Sequence, residues 1–504
     1  MDPTASPLVA GADFGTTALK LVLVDVDGRT VSTAQASYPT DRRRDADGAA
    51  RHEQDPEQWW QALVRALAET GLSHGVVALG LTGQMQDLVL LSGTRPVRPA
   101  VVYSDQRAAA QQRALHDQLP HWPRRAGSRQ DAASVAAKLR WLADHEPENL
   151  AAADALVFGP AGCLARRLGA EPVCDLTTAS TTGLLDLAAR DWWSPAAEAA
   201  GIDASRLPRL VEEPAAEGPV ARLRSADAAE LGLSVGTPVV LGFGDAAATT
   251  DGLVGSAPGD AYASLGTSGW IAAVTPGPPD DGAEDSAMHQ LAADRGNLLR
   301  IAAVQSAGGS AEWSRRQLLG GLDHAAVEER AAGRIDRLAE RPLCLPGLGG
   351  ERYPVRNAEA RGTFIGVTES TEAIDLHLSV LTGVAYALAQ GVEELGASQQ
   401  ALPVVGGGAE SRVWRRLLAD AAGMPVVHCA ETDDAAARHA ARSAAEGGGF
   451  AHRVPPHFSP AGEGSAGISV VEPSALATEH ARLREIHREL HETLAPTFSR
   501  LAGA

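Results

Sequence analysis

The sequence predicts an α/β protein built from two similar halves with a cleft between them. Apolar, strand-like segments alternate with helical segments along the 504 residues, which is typical of an α/β layout. A turn of the form x-Gly-Thr-[Thr/Ser] between two apolar strands occurs near residue 15 and again near residue 266. A turn repeated about half the chain apart indicates a duplicated domain, and a chain of this length suffices for two or three domains.

The first half opens with an antiparallel meander. Apolar runs before and after residues 15–17 predict two strands, and an Asp-Gly pair at 27–28 leads into a third. A helix follows over 56–70, with Asp55 as its N-cap and a proline in its first turn. Residues 76–81 then form a predicted buried strand, so strand and helix alternate from there on.

The second half repeats the strand-turn-strand opening and continues with further helices and strands. Its predicted elements are a strand-turn-strand over 261–271, a loop over 345–354, a helix over 371–395, a strand over 402–405, a helix over 411–422, a Gly/Pro-rich surface loop over 443–474 and an amphipathic helix from 474 to about 499.

Composition and charge exclude several classes of protein. There are 44 basic and 63 acidic side chains, and a net charge of −19 argues against nucleic-acid binding. Apolar runs are too short to span a membrane, and the N-terminal residues lack the basic and apolar regions of a signal peptide. Cys163, Cys174, Cys344 and Cys429 have no metal-ligand spacing. We therefore expect reduced thiols and a cytoplasmic location.

The two Gly-Thr turns have the chemistry of a phosphate site. Backbone N–H groups in a tight glycine turn attract anions, and hydroxyl side chains add donors, although each turn alone is equally compatible with a plain hairpin. Asp13, at a strand end, is placed where a carboxylate can hold Mg²⁺ through water. No Gly-x4-Gly-Lys-[Ser/Thr] motif is present, which excludes a P-loop enzyme. The turn residues are Gly15, Thr16 and Thr17, and Gly266, Thr267 and Ser268.

Two further segments place possible binding groups at strand ends. A glycine turn over 406–410 joins a strand to a helix, where a flat ligand can approach the backbone and a helix N-terminus favours negative charge. An apolar strand over 238–241 leads to Asp245, and strand ends in α/β sheets are where ligands bind. This carboxylate can take the proton from a hydroxyl that attacks a phosphoryl group, or it can simply cap the following helix.

Taken together, the motifs resemble the FGGY family of carbohydrate kinases. They extend from residue 11 to beyond residue 420, so the resemblance covers nearly the whole chain. The matching segments are Gly11-Ala12-Asp13-x-Gly15-Thr16-Thr17-x-x-Lys20, Glu53-Gln54-Asp55-Pro56-Glu57-Gln58-Trp59-Trp60, Gly83-Gln84-Met85, Arg98-Pro99-Ala100 with Asp105-x-Arg107, Gly244-Asp245, Leu265-Gly266-Thr267-Ser268, Gly350-Glu351-Arg352-x-Pro354 and Gly406-Gly407-Gly408-Ala409.

The resemblance implies two actin-like (ribonuclease H-like) domains around an interdomain catalytic cleft, over 8–255 and 256–445, with 446–504 as a loop and C-terminal helix. It also implies ATP-dependent phosphorylation of a sugar or polyol hydroxyl, with ATP and Mg²⁺. The implied site residues are Asp245 as general base; Asp13 and Asp245 for Mg²⁺ through water; Gly15, Thr16, Thr17, Lys20, Gly266, Thr267, Ser268, Gly407, Gly408 and Ala409 for the nucleotide; and Gln84, Met85, Gln86 and Asp245 for the sugar.

Three positions at or next to the implied sugar pocket depart from the pattern of family members that act on xylulose. Gln86 and Asp87 follow the Gly-Gln-Met motif where those members usually have His and Gly, and Ala246 stands where they have Asn. The nucleotide motifs are intact. D-xylulose, phosphorylated to D-xylulose 5-phosphate, is the expected substrate, and another ketose, a polyol, gluconate or a cyclitol is the alternative.

Functions of two other classes are also compatible with parts of the sequence. A non-catalytic, actin-like ATP-binding protein would keep the phosphate turns, but it has no need of the carboxylate at Asp245. An NAD-binding enzyme would need Gly-x-Gly-x-x-Gly opening a helix after the first strand, whereas the turn here leads into another strand. We expect a small-molecule sugar or polyol as the partner, no nucleic acid or membrane, and a monomer or homodimer.

Overall fold

The computed structural model describes residues 7–45, 48–279, 287–458 and 468–503. Two mixed sheets form its core. The first sheet contains β1 (Leu8–Phe14), β2 (Ala18–Val24), β3 (Thr30–Ser37), β4 (Val76–Gly83), β5 (Ala221–Arg222) and β6 (Pro238–Leu241). The second contains β7 (Ala261–Leu265), β8 (Gly269–Thr275), β9 (Met288–Ala292), β10 (Leu298–Val304), β11 (Leu402–Val405), β12 (Val426–His428) and β13 (Ser469–Val471).

The two sheets share one topology. The strand order is β5-β6-β4-β1-β2-β3 in the first sheet and β9-β10-β8-β7-β11-β12-β13 in the second. In each, a central hairpin (β1–β2 or β7–β8) continues into an antiparallel third strand. On its other side lie two parallel strands and an antiparallel edge strand. The predicted duplication is therefore confirmed, and the fold consists of two actin-like (ribonuclease H-like) domains.

Helices cover the faces of the sheets. Those of nine or more residues in the described segments are α1 (Pro56–Thr70), α2 (Ala109–Gln118), α3 (Val135–His145), α4 (Asp245–Val254), α5 (Gly308–Leu318), α6 (His324–Ala332), α7 (Ala373–Glu394), α8 (Arg412–Ala422), α9 (Ala435–Gly448) and α10 (Ala477–Ala502). The helix predicted over 56–70 is confirmed with its cap, because the Asp55 carboxylate accepts the N–H of Glu57.

Smaller sheets extend the two halves. They pair Asp41–Arg44 with Ala50–Gln54 and Ala100–Val101, Val89–Ser92 with Arg95–Pro96 and Ala155–Val157, Val173–Asp175 with Arg209–Val211, Leu185–Asp186 with Asp191–Trp192, and Leu343–Leu345 with Thr363–Ile365.

The prediction of a surface loop over 443–474 is wrong at both ends. Helix α9 continues to Gly448, and residues 469–471 form the edge strand β13. The alanine-rich sequence sustains the helix until Gly449, whose positive φ of 77° ends it. Residues 449–458 and 472–474 are neither helix nor strand, as predicted. Residues 459–467 lie outside the described residues, as do residues 1–6, for which no signal peptide was expected.

Helix α9 connects the two halves by packing directly on the first sheet. A Cβ at Gly11 of β1 would lie 1.9 Å from Ala437 O, and one at Gly80 of β4 would lie 1.9 Å from Ala440 O. Only glycine therefore permits this close approach of helix and sheet. The helix lies in the C-terminal half of the chain but packs on the sheet of the first domain.

Contrary to the expectation from the sequence, one helix of the described residues, α7, is long and apolar enough to cross a membrane. Within its most apolar window, 89% of the residues are buried inside the protein. It packs among β7, β8, α5 and α8 in the largest core cluster of the second half. Burial on this scale is typical of a core helix.

Candidate active site

Asp13 lies in β1 beside Lys20 of β2 and Thr82 of β4, at the end of the strands that faces the cleft. Its side chain is buried, and Oδ1 has no hydrogen-bond partner. Burial and the nearby Asp245 raise the pKa of Asp13 to about 7, while Lys20 acts in the opposite direction. An unpartnered carboxylate oxygen next to a second carboxylate is a donor set that suits Mg²⁺.

Asp245 is the first residue of α4 and follows the end of β6. The N-cap position belongs to Gly244, and the Asp245 side chain makes no capping hydrogen bond, so the alternative role as a helix cap is not observed. Oδ1 accepts a hydrogen bond from Thr249 Oγ1 at 3.3 Å. Part of the Asp245 side chain is accessible to solvent. Desolvation by the surrounding protein raises its pKa, against the influence of Thr249 and Lys20.

Lys20 carries the positive charge nearest these carboxylates, and its Nζ donates to Asp433 O at 2.8 Å. It lines a cavity of about 940 Å³ between the β2–β3 hairpin and residues 429–434 of the second half. Lys20 therefore lies close to the first Gly-Thr turn, and its ammonium group donates a hydrogen bond to the backbone of the opposite domain.

The first Gly-Thr turn has its carbonyl groups bound to protein donors, and the N–H of Gly15 donates to Ala18 O at 3.1 Å. The carbonyl of Gly15 accepts the Tyr38 hydroxyl, and the carbonyl of Thr16 accepts Gln54 Nε2 at 2.8 Å. Both oxygens are thus engaged by protein donors and do not repel an anion. A Cβ at Gly15 would meet only Ala18 O, at 3.3 Å, which leaves room for a phosphate over the turn.

The second turn is built in the same way. Gly266 O accepts the N–H of Gly308 at 2.9 Å, and Thr267 O accepts those of Ala307 and Gly309 at 3.0 Å. A Cβ at Gly266 would meet only Ser268 O, at 3.4 Å. The two predicted turns therefore share an open side, although they lie about half the chain apart.

A cavity of about 780 Å³ opens beside the second turn, between α5, α6, α7 and α8. Such a volume suits a nucleoside. Gly407 and Gly408, which were predicted to contact the nucleotide, line this cavity, and a Cβ at Gly407 would meet no protein atom within 4 Å. Ala409 differs from the prediction, because it is fully buried behind these glycines and packs the turn instead of lining the cavity.

The residues predicted to bind the sugar differ in how many polar atoms they have free for hydrogen bonds to it. Gln84 is buried, donates to Gln54 Oε1 at 2.9 Å and has an unpartnered Oε1. Met85 packs so closely against Gly244 that a Cβ there would lie 2.5 Å from its sulfur. Gln86 has a positive φ of 65°, and its Nε2 donates to Thr181 O at 2.7 Å. One N–H of its carboxamide thus binds the protein backbone, and the other N–H and Oε1 remain for a ligand.

Two buried charged side chains, Lys138 and Asp87, support this segment, and sequence reasoning missed them. Lys138 Nζ donates to Gln86 O at 2.9 Å and to Val102 O at 3.0 Å. The Asp87 carboxylate accepts the N–H of Tyr103 at 2.9 Å. Burial raises the pKa of Asp87 to about 7 and lowers that of Lys138 to about 8, each opposed by the partner's charge. The pair fixes the backbone next to the predicted sugar residues.

The Asp-x-Arg motif, Asp105 and Arg107, joins neighbouring segments of the first half through hydrogen bonds. Arg107 binds Asp105 through two hydrogen bonds of 2.9 and 2.7 Å, and it also pairs with Glu53 at 2.7 Å. Asp105 accepts the N–H of His52 at 2.7 Å. Both side chains of the Asp-x-Arg pair are buried, so this motif joins strands of the first half instead of facing the cleft.

The loop that carries Asp245 is held by two side chains that the sequence did not indicate. Asp175 Oδ1 accepts the N–H of Gly244 at 2.8 Å, and His439 Nε2 accepts that of Phe243 at 3.1 Å. These partners lie 69 and 196 residues away along the chain. No local pattern connects them to Asp245.

Comparison with known proteins agrees with this geometry. Residues 8–252 match the N-terminal domain, and residues 261–445 the C-terminal domain, of the FGGY family of carbohydrate kinases. A xylulose kinase of Escherichia coli is 34% identical over 443 residues, covering 86% of this chain and 89% of the relative. One from Streptomyces rubiginosus is 34% identical over 444 residues, covering 84% and 85%.

The fold agrees with a solved relative as well. The crystal structure of xylulose kinase from Rhodospirillum rubrum superposes with a TM-score of 0.81 at 25% identity, covering 98% of this chain and 100% of that chain. With both domain matches and relatives above 30% identity over most of the chain, this protein belongs to the FGGY family of carbohydrate kinases, ATP-dependent phosphotransferases that act on an alcohol group.

Proposed function

We propose that this kinase phosphorylates D-xylulose to D-xylulose 5-phosphate in the cleft between its two actin-like domains. The observation that carries the choice of sugar is the 34% identity to xylulose kinases over more than four fifths of the chain. The chemistry is supported by Asp245, a solvent-accessible carboxylate at a strand end.

Asp245 is the general base of this proposal. The sugar hydroxyl attacks the γ-phosphorus of ATP, a new O–P bond forms, the bond to the β-phosphate oxygen breaks, and the hydroxyl proton moves to the Asp245 carboxylate. A base works best when its pKa lies near the operating pH. The raised pKa of Asp245, which desolvation causes, moves in that direction.

The two Gly-Thr turns would hold the phosphates from opposite domains. Their carbonyl oxygens are bound to protein donors, and the space above Gly15 and Gly266 is open. Backbone N–H groups can then bind the phosphate oxygens and stabilise the charge that spreads over them. Gly407 and Gly408 would lie against the adenosine.

Asp13 and Asp245 would hold the Mg²⁺ of Mg-ATP, through water. The fit rests on the unpartnered, buried Oδ1 of Asp13 and on the neighbouring Asp245 carboxylate, which adds to the effect of burial in raising the pKa of Asp13. When bound, Mg²⁺ neutralises charge on the β- and γ-phosphates. Lys20 supplies a fixed positive charge to the same carboxylates.

A second candidate is a kinase for another ketose or polyol. Gln86 uses one N–H of its carboxamide for Thr181 O, and the Ala246 side chain has no polar atom. A xylulose hydroxyl that would face Ala246 then lacks a protein partner, and an unpaired polar group costs about 1–3 kcal/mol. A substrate without a hydroxyl at that position would avoid this cost.

We place the enzyme in the cytoplasm, acting on a small molecule as a monomer or homodimer. All four cysteines are unpaired and buried. Burial raises the pKa of Cys163 and Cys344 to about 12, which makes these thiols unreactive. Reduced, inert thiols are compatible with a reducing compartment.

The test is a screen of ADP release across ketoses, aldoses, polyols and aldonic acids with Mg-ATP. We expect D-xylulose to give the highest kcat/KM and a 5-phosphate product by mass spectrometry and NMR. A higher kcat/KM for another polyol would establish the second candidate. ADP release that no sugar stimulates would contradict a sugar kinase altogether and would favour a non-catalytic or ATP-hydrolysing protein.

A further inference from the structure

The cavity next to the second phosphate turn has a polar group at its inner end. Gly308 begins α5 beside the turn, and Ser314 lies six residues further along the same helix. At 1.5 Å per residue this is a distance of about 9 Å along the helix axis, which suits the span from phosphate to nucleobase. Ser314 contacts His377 of α7, which lines the cavity.

The hydrogen bonds of Ser314 determine the tautomer of His377. The single hydroxyl proton of Ser314 is donated to Ala311 O at 2.8 Å. His377 Nδ1 lies 2.7 Å from the same hydroxyl oxygen, which can then only accept. Nδ1 therefore carries the proton of the neutral ring, and Nε2 carries a free lone pair.

The ring remains neutral because of its surroundings. Burial, with smaller effects from Arg315 and His324, lowers the pKa of His377 to about 4. The neighbouring charged side chains are engaged elsewhere: Arg315 binds Glu312 through two hydrogen bonds of 2.7 Å, and Glu328 binds Ser411 at 2.7 Å. His377 Nε2 is thus a hydrogen-bond acceptor in a largely apolar wall.

We infer that His377 Nε2 accepts a hydrogen bond from the exocyclic amino group of adenine and thereby selects ATP over 6-oxopurine nucleotides. Adenine carries an N–H donor at position 6, whereas guanine carries an oxygen acceptor there. A 6-oxopurine would bring two acceptors together and leave both unpaired, which is the kind of mismatch that discriminates strongly. The inference rests on the proposed position of the nucleotide between Gly308, Gly407 and Gly408.

The direct test compares ATP with inosine triphosphate, which has an oxygen in place of the amino group. We expect the wild type to prefer ATP by at least about tenfold in kcat/KM. His377→Phe should lower this ratio about tenfold or more, with the KM of the sugar unchanged. Binding of ADP and inosine diphosphate by calorimetry should show the same change, which a merely structural role would not produce.

Two further variants keep the test decisive if His377→Phe fails to fold. Ser314→Ala leaves the ring in place but frees its tautomer, and His377→Gln supplies both a donor and an acceptor. Each should bring the ATP/ITP ratio closer to one. An unchanged ratio in both would overturn the inference. His487→Phe is the matched control, because it makes the same substitution at a buried histidine of α10 outside this cavity.

Gly407→Ala separates this inference from the placement of the nucleotide. Its new methyl group meets no protein atom within 4 Å, so the fold should tolerate it, while bound nucleotide would clash. A higher KM for ATP in Gly407→Ala, together with an unchanged ATP/ITP ratio in the His377 variants, would contradict the role of His377 alone. Unchanged nucleotide KM values in all variants would contradict both proposals.

Discussion

His439 of α9 accepts the backbone N–H of Phe243 through Nε2 at 3.1 Å. Its Nδ1 lies 2.5 Å from Asp251 Oδ2, and Asp251 also pairs with Arg442 at 2.8 Å. Because Nε2 accepts, the proton of the neutral ring is on Nδ1 and is donated to Asp251. The strand end that leads to Asp245 is therefore held by a histidine from the C-terminal side of the chain.

Replacing His439 by Leu should lower kcat about tenfold while leaving the KM of ATP within about twofold. The Phe243 N–H loses its acceptor, so the backbone that carries Asp245 can shift. Even a small displacement of a general base from its substrate lowers kcat. Steady-state kinetics with both substrates measures the effect. Glu446→Gln, at an exposed position further along α9, is the control and should behave as wild type. A His439→Leu enzyme with unchanged kcat would show that this contact does not position Asp245.

Asp13→Ala should raise the Mg²⁺ concentration needed for half-maximal activity at least about tenfold, because Mg²⁺ bridges the β- and γ-phosphates and loses a nearby carboxylate. A Mg²⁺ titration at saturating ATP and sugar measures this. Asp27→Ala, an exposed position in the β2–β3 turn, serves as the control. An unchanged titration in Asp13→Ala would remove Asp13 from metal binding.

The double substitution Gln86→His with Ala246→Asn should improve kcat/KM for xylulose by roughly tenfold, the effect of about 1.4 kcal/mol of restored hydrogen bonding. Histidine tolerates the positive φ of 65° at position 86 better than most residues. Kinetics on xylulose and on the best polyol of the screen measures the change. A double variant no better than wild type would indicate that Gln86 and a bridging water already serve the sugar.

Three buried histidines of α10 should make the protein sensitive to mild acid. Burial lowers the pKa of His480, His487 and His491 to about 4, 3 and 4. These folded-state values lie below the unfolded value of about 6.5. The unfolded chain therefore binds protons first as the pH falls, and stability decreases from about pH 6.5 towards pH 4.

His491→Phe should remove one of these proton-binding sites. Between pH 7 and 5 the variant should lose about 2 kcal/mol less stability than the wild type, since each pKa unit corresponds to about 1.4 kcal/mol. Urea unfolding at the two pH values measures this difference. His74→Gln, at an exposed position, is the control. Parallel losses in wild type and His491→Phe would show that this histidine is not protonated on unfolding in that range.

The fold was predictable from the sequence because a short Gly-Thr turn of the same type occurs at the equivalent position in each half of the chain. Gly15-Thr16-Thr17 and Gly266-Thr267-Ser268 each connect the central hairpin of a sheet, so finding the pair was enough to indicate duplication. Asp245 was recognisable from its place at the end of an apolar strand. The loop prediction failed over 443–448 because the glycines there were taken as a loop signal, although the alanine-rich run before them continues α9. Gly447 also packs against Val240 of β6, a tertiary contact that composition does not show.

The supporting residues of the site were not predictable in the same way. Lys138, His439 and His377 act through partners that lie 52, 196 and 63 residues away along the chain. Helical periodicity alone places a lone buried histidine in a core. Which nitrogen carries the proton depends on hydrogen bonds that only the folded chain forms.

The kinetic and binding properties of Asp245→Asn test most directly whether the cleft works as a kinase site with this carboxylate as base. We expect kcat to fall by ~10²–10⁴ while the Kd of ADP remains nearly that of the wild type, because the amide keeps the shape of the side chain but cannot take the proton. Asp117→Asn, on the surface of α2, should leave both unchanged. An Asp245→Asn enzyme that keeps more than about a third of the wild-type kcat would contradict the role of Asp245 as general base.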